Sequence, residues 1–257
     1  MFKNIYDIGA NQGQNINYFL SNSEQVIVVE PIKILCVQIE KTFKELVKSG
    51  QLKILNKAIV NDENIKTVDF YINTKKNWES SLLKNNQFEN IIVNSITLNN
   101  LFNEHGYPDC LKIDIEGYDI ELLKYMVAKN IIPNYLAIEV QNKDTMEYLL
   151  NNFEYKRFNF VLGHRISKDY KGINLRTHSS GPLGNDMKFK WVNKRIIKFY
   201  FFISKYGWID IHCTNYEFDN TNKLGVFKTI FLIFFDKVSR IINPIISKVV
   251  GKLKTYY

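Results

Sequence analysis

The chain has 257 residues and a formal net charge of +8, and 46% of its residues are hydrophobic. This composition excludes a disordered protein, and the length allows a large buried core. The three cysteines, Cys36, Cys110 and Cys213, are scattered, which excludes a disulfide framework and a spaced zinc site and predicts buried thiols in a reducing compartment. A strand pattern starts at the first residues, so we expect no signal peptide and a cytoplasmic location.

The first predicted elements are a short apolar strand around Ile5 and Ile8, a turn with two glycines, and a helix from Gln14 to Leu20. Glycine allows the backbone to turn sharply and to approach a ligand closely. The amides at the start of the next helix point at whatever lies above the strand end. A second apolar run, Val26–Val29, is followed by Glu30, which occupies the position where a nucleotide-binding βαβ unit holds a ribose.

The turn departs from the dinucleotide-binding pattern. Its glycines, Gly9 and Gly13, are spaced G-x-x-x-G, and Asn11 occupies a position where G-x-G-x-x-G requires glycine. The carboxylate of Asp7 beneath the turn favours a ligand with a cationic amino acid head group over one with phosphates. S-adenosylmethionine fits that description. The alternative is an ordinary βα turn with an incidental acid on the next strand.

The next elements alternate between helix and strand until an insertion. A helix is predicted from Pro31 to about Lys48, and the two apolar runs Leu52–Leu55 and Ala58–Val60 are together predicted as a third strand. From Thr67 to Leu98 the alternation is interrupted, and the pattern predicts two or three antiparallel strands inserted at one edge of the sheet. A helix from Leu98 to His105 follows.

A second informative stretch ends a strand with two acids, Asp114 and Glu116, before a helix from Asp119 to Lys129. The period of two places both carboxylates on one side of the chain, at the carboxyl end where α/β sheets bind ligands. The next strand, Tyr135–Val140, brings Glu139 to a similar height. Acids held this close together require a cation, a metal or a proton. Each acid alone is more often a cap or a solvated strand end, but three at successive strand ends favour function.

Together these stretches resemble the FkbM family of S-adenosylmethionine-dependent methyltransferases. The resemblance covers about residues 4 to 142 and includes the following segments: Tyr6–Gly13, Val29–Pro31, Ser80–Leu82, Ile96–Leu101 and Lys112–Asp119. It implies an α/β fold with the class I methyltransferase (Rossmann-like) sheet, seven-stranded and mostly parallel, with a small antiparallel insertion. Two departures are Asp119, where the family more often has glutamate, and the absence of a helix before the first strand.

The resemblance also implies roles for individual residues. Cofactor binding would fall to Asp7, Gly9, Asn11 and Gly13 at the methionine end, to Glu30 at the ribose, and to Asn56 and Ala58, within the segment 56–58, at the adenine. The acceptor side would be lined by Asp114, Glu116 and Glu139. The family methylates hydroxyl oxygens on sugars, polysaccharide repeats and polyketides.

Beyond residue 142, a helix is predicted at Thr145–Phe153, a strand at Tyr155–Val161 and its antiparallel partner at Gly207–Cys213. The segment of about residues 166–187 is predicted to be a long loop, of the kind that forms lids or binding sites. His178 in this loop could be a base or a sugar ligand, although a lone histidine is more often a surface residue.

Residues 1–222 form the predicted catalytic domain, and residues 223–257 a basic amphipathic helical tail. Lys and Arg number 13 against 4 Asp and Glu in residues 187–257, and 21 against 22 in residues 1–186. A basic helix with phenylalanines on its apolar face is typical of peripheral binding to an acidic membrane surface. The alternatives are packing on the catalytic domain or on a second copy in a homodimer. Charged residues interrupt the apolar run, so we expect no membrane span.

The sequence therefore predicts an O-methyltransferase that acts on a hydroxyl of a sugar or glycan, at the cell surface or lipid-linked. A sugar hydroxyl needs a base or a metal as it loses its proton. Asp114 with Glu116 or Glu139 could act as base, or Asp114 and Glu139 could hold a divalent cation, and the sequence does not separate these roles. The alternatives are methylation of nitrogen or carbon on a small metabolite, and a non-catalytic membrane-associated module. No nucleic-acid partner is expected, because the basic charge lies away from the acceptor side.

Overall fold

The computed structural model describes residues 1–76, 79–171, 173, 180–204 and 209–239. His178, the predicted strand start at 207–208 and the tail from residue 240 onwards lie outside these ranges. The described elements are, in chain order, β1 (Phe2–Ile8), α1 (Ile16–Asn22), β2 (Ser23–Val29), α2 (Lys33–Thr42), α3 (Lys44–Lys48), β3 (Leu52–Leu55), β4 (Ala58–Val60), β5 (Thr67–Ile72), β6 (Glu89–Thr97), α4 (Leu98–His105), β7 (Cys110–Ile113), α5 (Asp119–Ala128), β8 (Tyr135–Glu139), α6 (Lys143–Asn152), β9 (Arg157–Leu162), α7 (Ile166–Asp169), α8 (Lys194–Ser204), β10 (Ile209–Thr214) and α9 (226–239).

The main sheet has seven strands within the described residues, in the order β3-β2-β1-β7-β8-β10-β9. The pairs β1–β2, β1–β7, β2–β3 and β7–β8 are parallel, whereas β10 runs antiparallel to both of its neighbours, β8 and β9. This arrangement confirms the predicted seven-stranded, mostly parallel Rossmann-like sheet and the antiparallel strand that closes it. The strand order reverses next to β1, and ligands of such sheets bind at the carboxyl ends of the strands near that reversal.

Helices cover both faces of this sheet, so its strands are apolar on both sides. One face packs Tyr6, Leu111 and Leu136 against α4, α5, α6 and α8. The other face packs Ile5 and Tyr135 against α1 and α2. The three cysteines are buried and unpaired, as predicted.

The predicted third strand is wrong in its second half. Only Leu52–Leu55 joins the main sheet, and Ala58–Val60 pairs in parallel with β6 in a separate three-stranded sheet, β4-β6-β5. The chain turns away because the side-chain amide of Asn56 donates to the carbonyls of Glu30 and Pro31, at 3.0 and 2.8 Å. The insertion contains the expected antiparallel pair β5–β6, but it forms its own sheet and does not extend an edge of the main one.

The predicted helix from Pro31 to Lys48 is interrupted. Phe43, with φ −114° and ψ 30°, separates α2 from α3, and its side chain is buried in the core. The buried Phe43 fits the hydrophobic period of a helix although its own backbone is not helical. The hydrophobic period therefore did not reveal the break.

The described part of the predicted tail, α9, packs on the main domain. Thr229, Ile233 and Asp236 face inward and are buried. The Asp236 carboxylate lies 2.8 Å from Nη1 of Arg165 and 2.8 Å from Nε2 of His164. No helix among the described residues combines the length and apolar character needed to cross a bilayer.

Candidate active site

A cavity of about 670 Å³ opens at the carboxyl ends of β1, β2, β7 and β8. Its volume lies within the range of about 300–1,000 Å³ that is typical of small-molecule sites. Seven of the predicted site residues line it: Gly9 and Asn11 of the glycine turn, Glu30 after β2, Ala58 on the insertion side, Asp114 and Glu116 after β7, and Glu139 at the end of β8. The structure therefore brings the two informative stretches of the sequence into one cavity.

Gly9 makes the turn at the end of β1 possible. Its φ is +84°, and a Cβ at this position would lie 1.8 Å from the carbonyl oxygen of Asp114. The amide of Asp114 in turn donates to the carbonyl of Ile8 at 3.0 Å. Only glycine fits here, because both the positive φ and the close approach exclude a side chain. The turn after β1 and the end of β7 are thus fixed against each other.

Glu30 is held by backbone amides on both carboxylate oxygens. Asn11 donates to Oε2 at 2.8 Å and Ile32 donates to Oε1 at 2.9 Å. Burial raises the pKa of Glu30 to about 7, although the two amides act to lower it. The amide of Asn11 belongs to the glycine turn, so this hydrogen bond fixes the turn relative to the acid at the end of β2.

Lys112 forms ion pairs with two of the predicted site residues, Asp7 and Asp114. The sequence alone did not indicate this role. Its Nζ lies 3.1 Å from Oδ2 of Asp114 and 3.4 Å from Oδ1 of Asp7, and the side chain is almost completely buried. Burial raises the pKa of Asp7, with Lys112 acting in the opposite direction. Asp7 does not line the cavity, so in this structure it contacts Lys112 and Asn15 and is shielded from a ligand. A lysine between Leu111 and Ile113 in a buried strand was the available signal.

The three predicted acids of the acceptor side are brought together. Asp114, Glu116 and Glu139 each offer a carboxylate oxygen, and these oxygens lie within 4.8 Å of one another. The side-chain amide of Gln141 donates to Glu116 at 3.1 Å and to Glu139 at 3.0 Å. Burial, followed by the negative charge of Asp114, raises the pKa of Glu116 to about 8 and that of Glu139 to about 10.

The turn after β7 is built to hold this arrangement. Glu116 has a φ of +51°, which is unusual for a residue with a side chain. Its carbonyl accepts from the Ser81 hydroxyl at 2.7 Å. The Asp119 carboxylate accepts from the amides of Ile115 and Gly117, at 3.3 and 3.0 Å. The aspartate therefore ties the turn together although the related family more often has glutamate there.

Besides Asp7, two other predicted cofactor residues lie off the cavity wall. Gly13 does not line the cavity, and a Cβ there would lie 2.7 Å from Cδ1 of Ile16, so it packs the start of α1. Asn56 also does not line it and instead holds the backbone at Glu30 and Pro31.

Sequence reasoning missed the contribution of the insertion and of the long loop to the cavity wall. Lys57 belongs to the predicted segment 56–58 and also lines the cavity, whereas the lining residues from the insertion and the loop include Phe70, Glu79, Ser80, Leu82 and Ser180. Ser180 is anchored by its amide, which donates to Oδ1 of Asn15 at 3.0 Å. The insertion and the described end of the loop at 166–187 therefore help to enclose the site.

Comparison with known proteins gives a family match. Residues 7–162 match the family model described as the methyltransferase FkbM domain, which is more than half of the chain. No curated protein matches the chain.

Matches to solved structures were also found, all at low sequence identity. A methyltransferase FkbM from Methylobacillus flagellatus KT is 15% identical with a TM-score of 0.43, and the match covers 62% of this chain and 39% of that one. TrmK from M. capricolum, in complex with S-adenosyl-homocysteine, is 10% identical with a TM-score of 0.38, and the match covers 85% and 65%. The C-terminal domain of precorrin-6Y C5,15-methyltransferase from Rhodobacter capsulatus is 12% identical with a TM-score of 0.37, and the match covers 62% and 66%. The chain spans less than two thirds of each of these chains.

Proposed function

Because the chain belongs to the FkbM methyltransferase domain family, we propose that it is an S-adenosylmethionine-dependent O-methyltransferase that acts on a hydroxyl group of a sugar or glycan. One observation carries this proposal. A single cavity contains the glycine turn with Glu30 on one wall and the carboxylates of Asp114, Glu116 and Glu139 on another. A cofactor and a hydroxyl acceptor can therefore occupy the same enclosed space.

The residues of the turn suit the cofactor. Glu30 retains acceptor capacity after its two backbone hydrogen bonds, because each carboxylate oxygen has two lone pairs. It would accept hydrogen bonds from the ribose hydroxyls, while Gly9 and Asn11 would lie against the methionine portion. S-adenosylmethionine supplies an electrophilic methyl group when bound, so the protein mainly has to position the acceptor oxygen in line with it.

The acid side of the cavity suits a neutral polyol. Carboxylates accept hydrogen bonds from sugar hydroxyls, and one of them can take the proton that the acceptor oxygen loses. Asp114 is the candidate base, because Lys112 holds one of its oxygens in place. An amine in the same position would be held as an ammonium ion, which has no lone pair for attack. This argument favours hydroxyl acceptors over the alternative of N-methylation.

The proposal is tested in two steps on the full chain. Calorimetry with S-adenosyl-homocysteine should show binding, and absence of binding would instead support the non-catalytic module. Transfer of a radiolabelled methyl group should then be assayed against free sugars, nucleotide sugars, lipid-linked saccharides and amines. We expect label on a saccharide oxygen, and label on amines alone would contradict the proposal.

A further inference from the structure

Carboxylates greatly outnumber ammonium groups at one face of the sheet. On successive strands, alternate residues point to the same face, and β1, β7, β8 and β10 are neighbours. Among the described residues, four carboxylates from these strands and their carboxyl ends lie on one face: Asp7, Asp114, Glu139 and Asp210. The same face has one ammonium group, that of Lys112. Glu116 adds a fifth carboxylate from the turn that follows β7.

Asp210 gives evidence about this face that is independent of the cluster of three acids. Its side chain is 2% exposed, and neither carboxylate oxygen has a hydrogen-bond partner among the described residues. It pairs in register with Glu139 across the antiparallel strands β10 and β8, so the two side chains point to the same face, with Cβ atoms about 5 Å apart. A buried carboxylate without hydrogen bonds is costly unless a positive charge or a proton compensates it. Lys112 is already within 3.4 Å of both Asp7 and Asp114.

We propose that Asp114, Glu116 and Glu139 bind one divalent, oxygen-preferring cation such as Mg²⁺ or Mn²⁺, and that Asp210, beside Glu139 on the neighbouring strand, strengthens its binding. The three carboxylate oxygens within 4.8 Å of one another can surround one ion at about 2.0–2.6 Å without a large movement. Asp114 would contribute one carboxylate oxygen, and Lys112 at 3.1 Å from its Oδ2 fixes the orientation of the group. Gln141, whose amide donates to both Glu116 and Glu139 in this structure, would be displaced.

The cation would deepen the proposed function, and this role rests on that function. An acceptor hydroxyl that coordinates a divalent cation loses its proton more easily. Asp114 would then position the ion in the same cavity that holds the cofactor turn. Binding of the ion itself does not depend on methyl transfer and can be measured without it.

The test uses the full chain and MnCl₂. Titration followed by electron paramagnetic resonance of free Mn²⁺ should show one site in the parent protein. Glu139→Gln removes a ligand charge with almost no change of shape, and we expect its Mn²⁺ affinity to fall at least tenfold. Glu121→Gln removes the same charge from a partly exposed position on α5, and this variant should bind Mn²⁺ like the parent.

Asp210→Asn tests the supporting residue. Its Mn²⁺ affinity should fall by about tenfold, the range seen when outer partners of metal ligands are replaced, with the melting temperature of the metal-free protein unchanged or raised. Unchanged affinity would show that Asp210 acts only as a buried neutral acid and would overturn its role. A parent protein that binds S-adenosyl-homocysteine but no Mn²⁺ would overturn the cation site and leave the proposed function intact. A parent protein that binds Mn²⁺ but not S-adenosyl-homocysteine would overturn the proposed function and leave the cation site intact.

Discussion

At Glu30, both carboxylate oxygens are anchored by backbone amides, so the side chain is oriented before any ligand arrives. We expect Glu30→Ala to weaken binding of S-adenosyl-homocysteine by at least tenfold, since a hydrogen bond to a charged group contributes about 1.5–3 kcal/mol. Glu24→Ala, at an exposed position on β2, the strand that precedes Glu30, is the matched control. Calorimetry checks both variants. Equal affinity for Glu30→Ala and the parent would remove Glu30 from the cofactor site.

The raised pKa of Glu30 leads us to predict that the stability of the protein depends on pH. The pKa of Glu30 is raised by burial to about 7, above its ordinary value of 4.5, so the folded state holds this proton more tightly than the unfolded state. Its stabilising contribution is therefore fully present below about pH 4.5 and is lost as the pH rises through about 7. The cofactor-free protein should melt at a lower temperature at pH 8 than at pH 5.

Glu30→Gln isolates this effect from that of other buried acids, because glutamine does not titrate. We expect its melting temperature to fall between pH 5 and pH 8 by roughly 5 °C less than that of the parent, since each unit of pKa shift corresponds to about 1.4 kcal/mol. Differential scanning fluorimetry across this range gives the answer. Parallel curves for parent and variant would show that Glu30 does not titrate there.

Asp114 lies between the cofactor turn and the other acids, and its replacement should separate binding from chemistry. Asparagine keeps the shape of the side chain but loses its charge and basicity. We expect Asp114→Asn to reduce methyl transfer by roughly a hundredfold or more, as for loss of a general base or of a ligand to a cation that activates the acceptor, while S-adenosyl-homocysteine still binds. Turnover within a few-fold of the parent would make Asp114 a structural residue, with Glu139 the next candidate.

At the scale of a single element, the turn after β1 depends on close contact with the end of β7. In Gly9→Ala the added methyl group would clash with the carbonyl oxygen of Asp114. The positive φ at this position is also unfavourable for alanine. We expect a loss of roughly 3 kcal/mol or more of unfolding free energy. Gly225→Ala, with nothing within 4 Å of the added Cβ, should be nearly neutral. Urea denaturation of both variants tests this, and equal stability would contradict the packing described at the turn.

Elements with a strong local signal could be predicted from sequence. Helix α4 has the predicted bounds, Leu98–His105, because Thr97 caps its start by accepting from the amide of Asn100 and Gly106 follows its end. Strand β2 could be predicted because a fully buried parallel strand is a continuous apolar run. The grouping of Asp114, Glu116 and Glu139 followed from strand ends that meet at one edge of a sheet.

The features that could not be predicted depend on contacts between distant segments. The departure of Ala58–Val60 from the main sheet depends on the Asn56 side chain reaching Glu30 and Pro31. The importance of Lys112 and Asp210 depends on which strands become neighbours, because each is one charged residue in a buried strand. Strand periodicity contains no information about such neighbours.

At the scale of the whole molecule, the C-terminal part of the sequence has both an excess of basic residues and a row of exposed phenylalanines. The outward side chains of α9 include Phe227, Phe231, Phe234 and Phe235, exposed by 89, 63, 58 and 53%. The opposite side of α9 is fixed to the domain by Asp236, so packing on the domain and exposure of the phenylalanines occur together. Residues 187–257 carry 13 Lys and Arg against 4 Asp and Glu, so this part of one copy repels that of another, whereas an anionic bilayer attracts it.

We therefore predict that the protein floats with liposomes that contain anionic lipid and not with neutral ones. Phe231→Ser combined with Phe235→Ser should reduce flotation by about tenfold or more, because each phenylalanine contributes roughly 1.5–3 kcal/mol when buried. Ile92→Ser, a change at an exposed apolar residue of β6, is the control. A protein that floats with neither lipid, and whose dimer dissociates in the double variant, would show that a second copy covers this surface.

The position of β10 has a consequence for biosynthesis. This strand lies between β8 and β9, although both are synthesised before it. A nascent chain that has reached the end of β9 therefore has a free edge on β8, and β9 cannot take its place until residues 209–214 have left the ribosome. Unpaired strand edges invite association with other chains. Folding of this protein should consequently be completed late in translation, and a chain interrupted after residue 162 should aggregate and fail to fold.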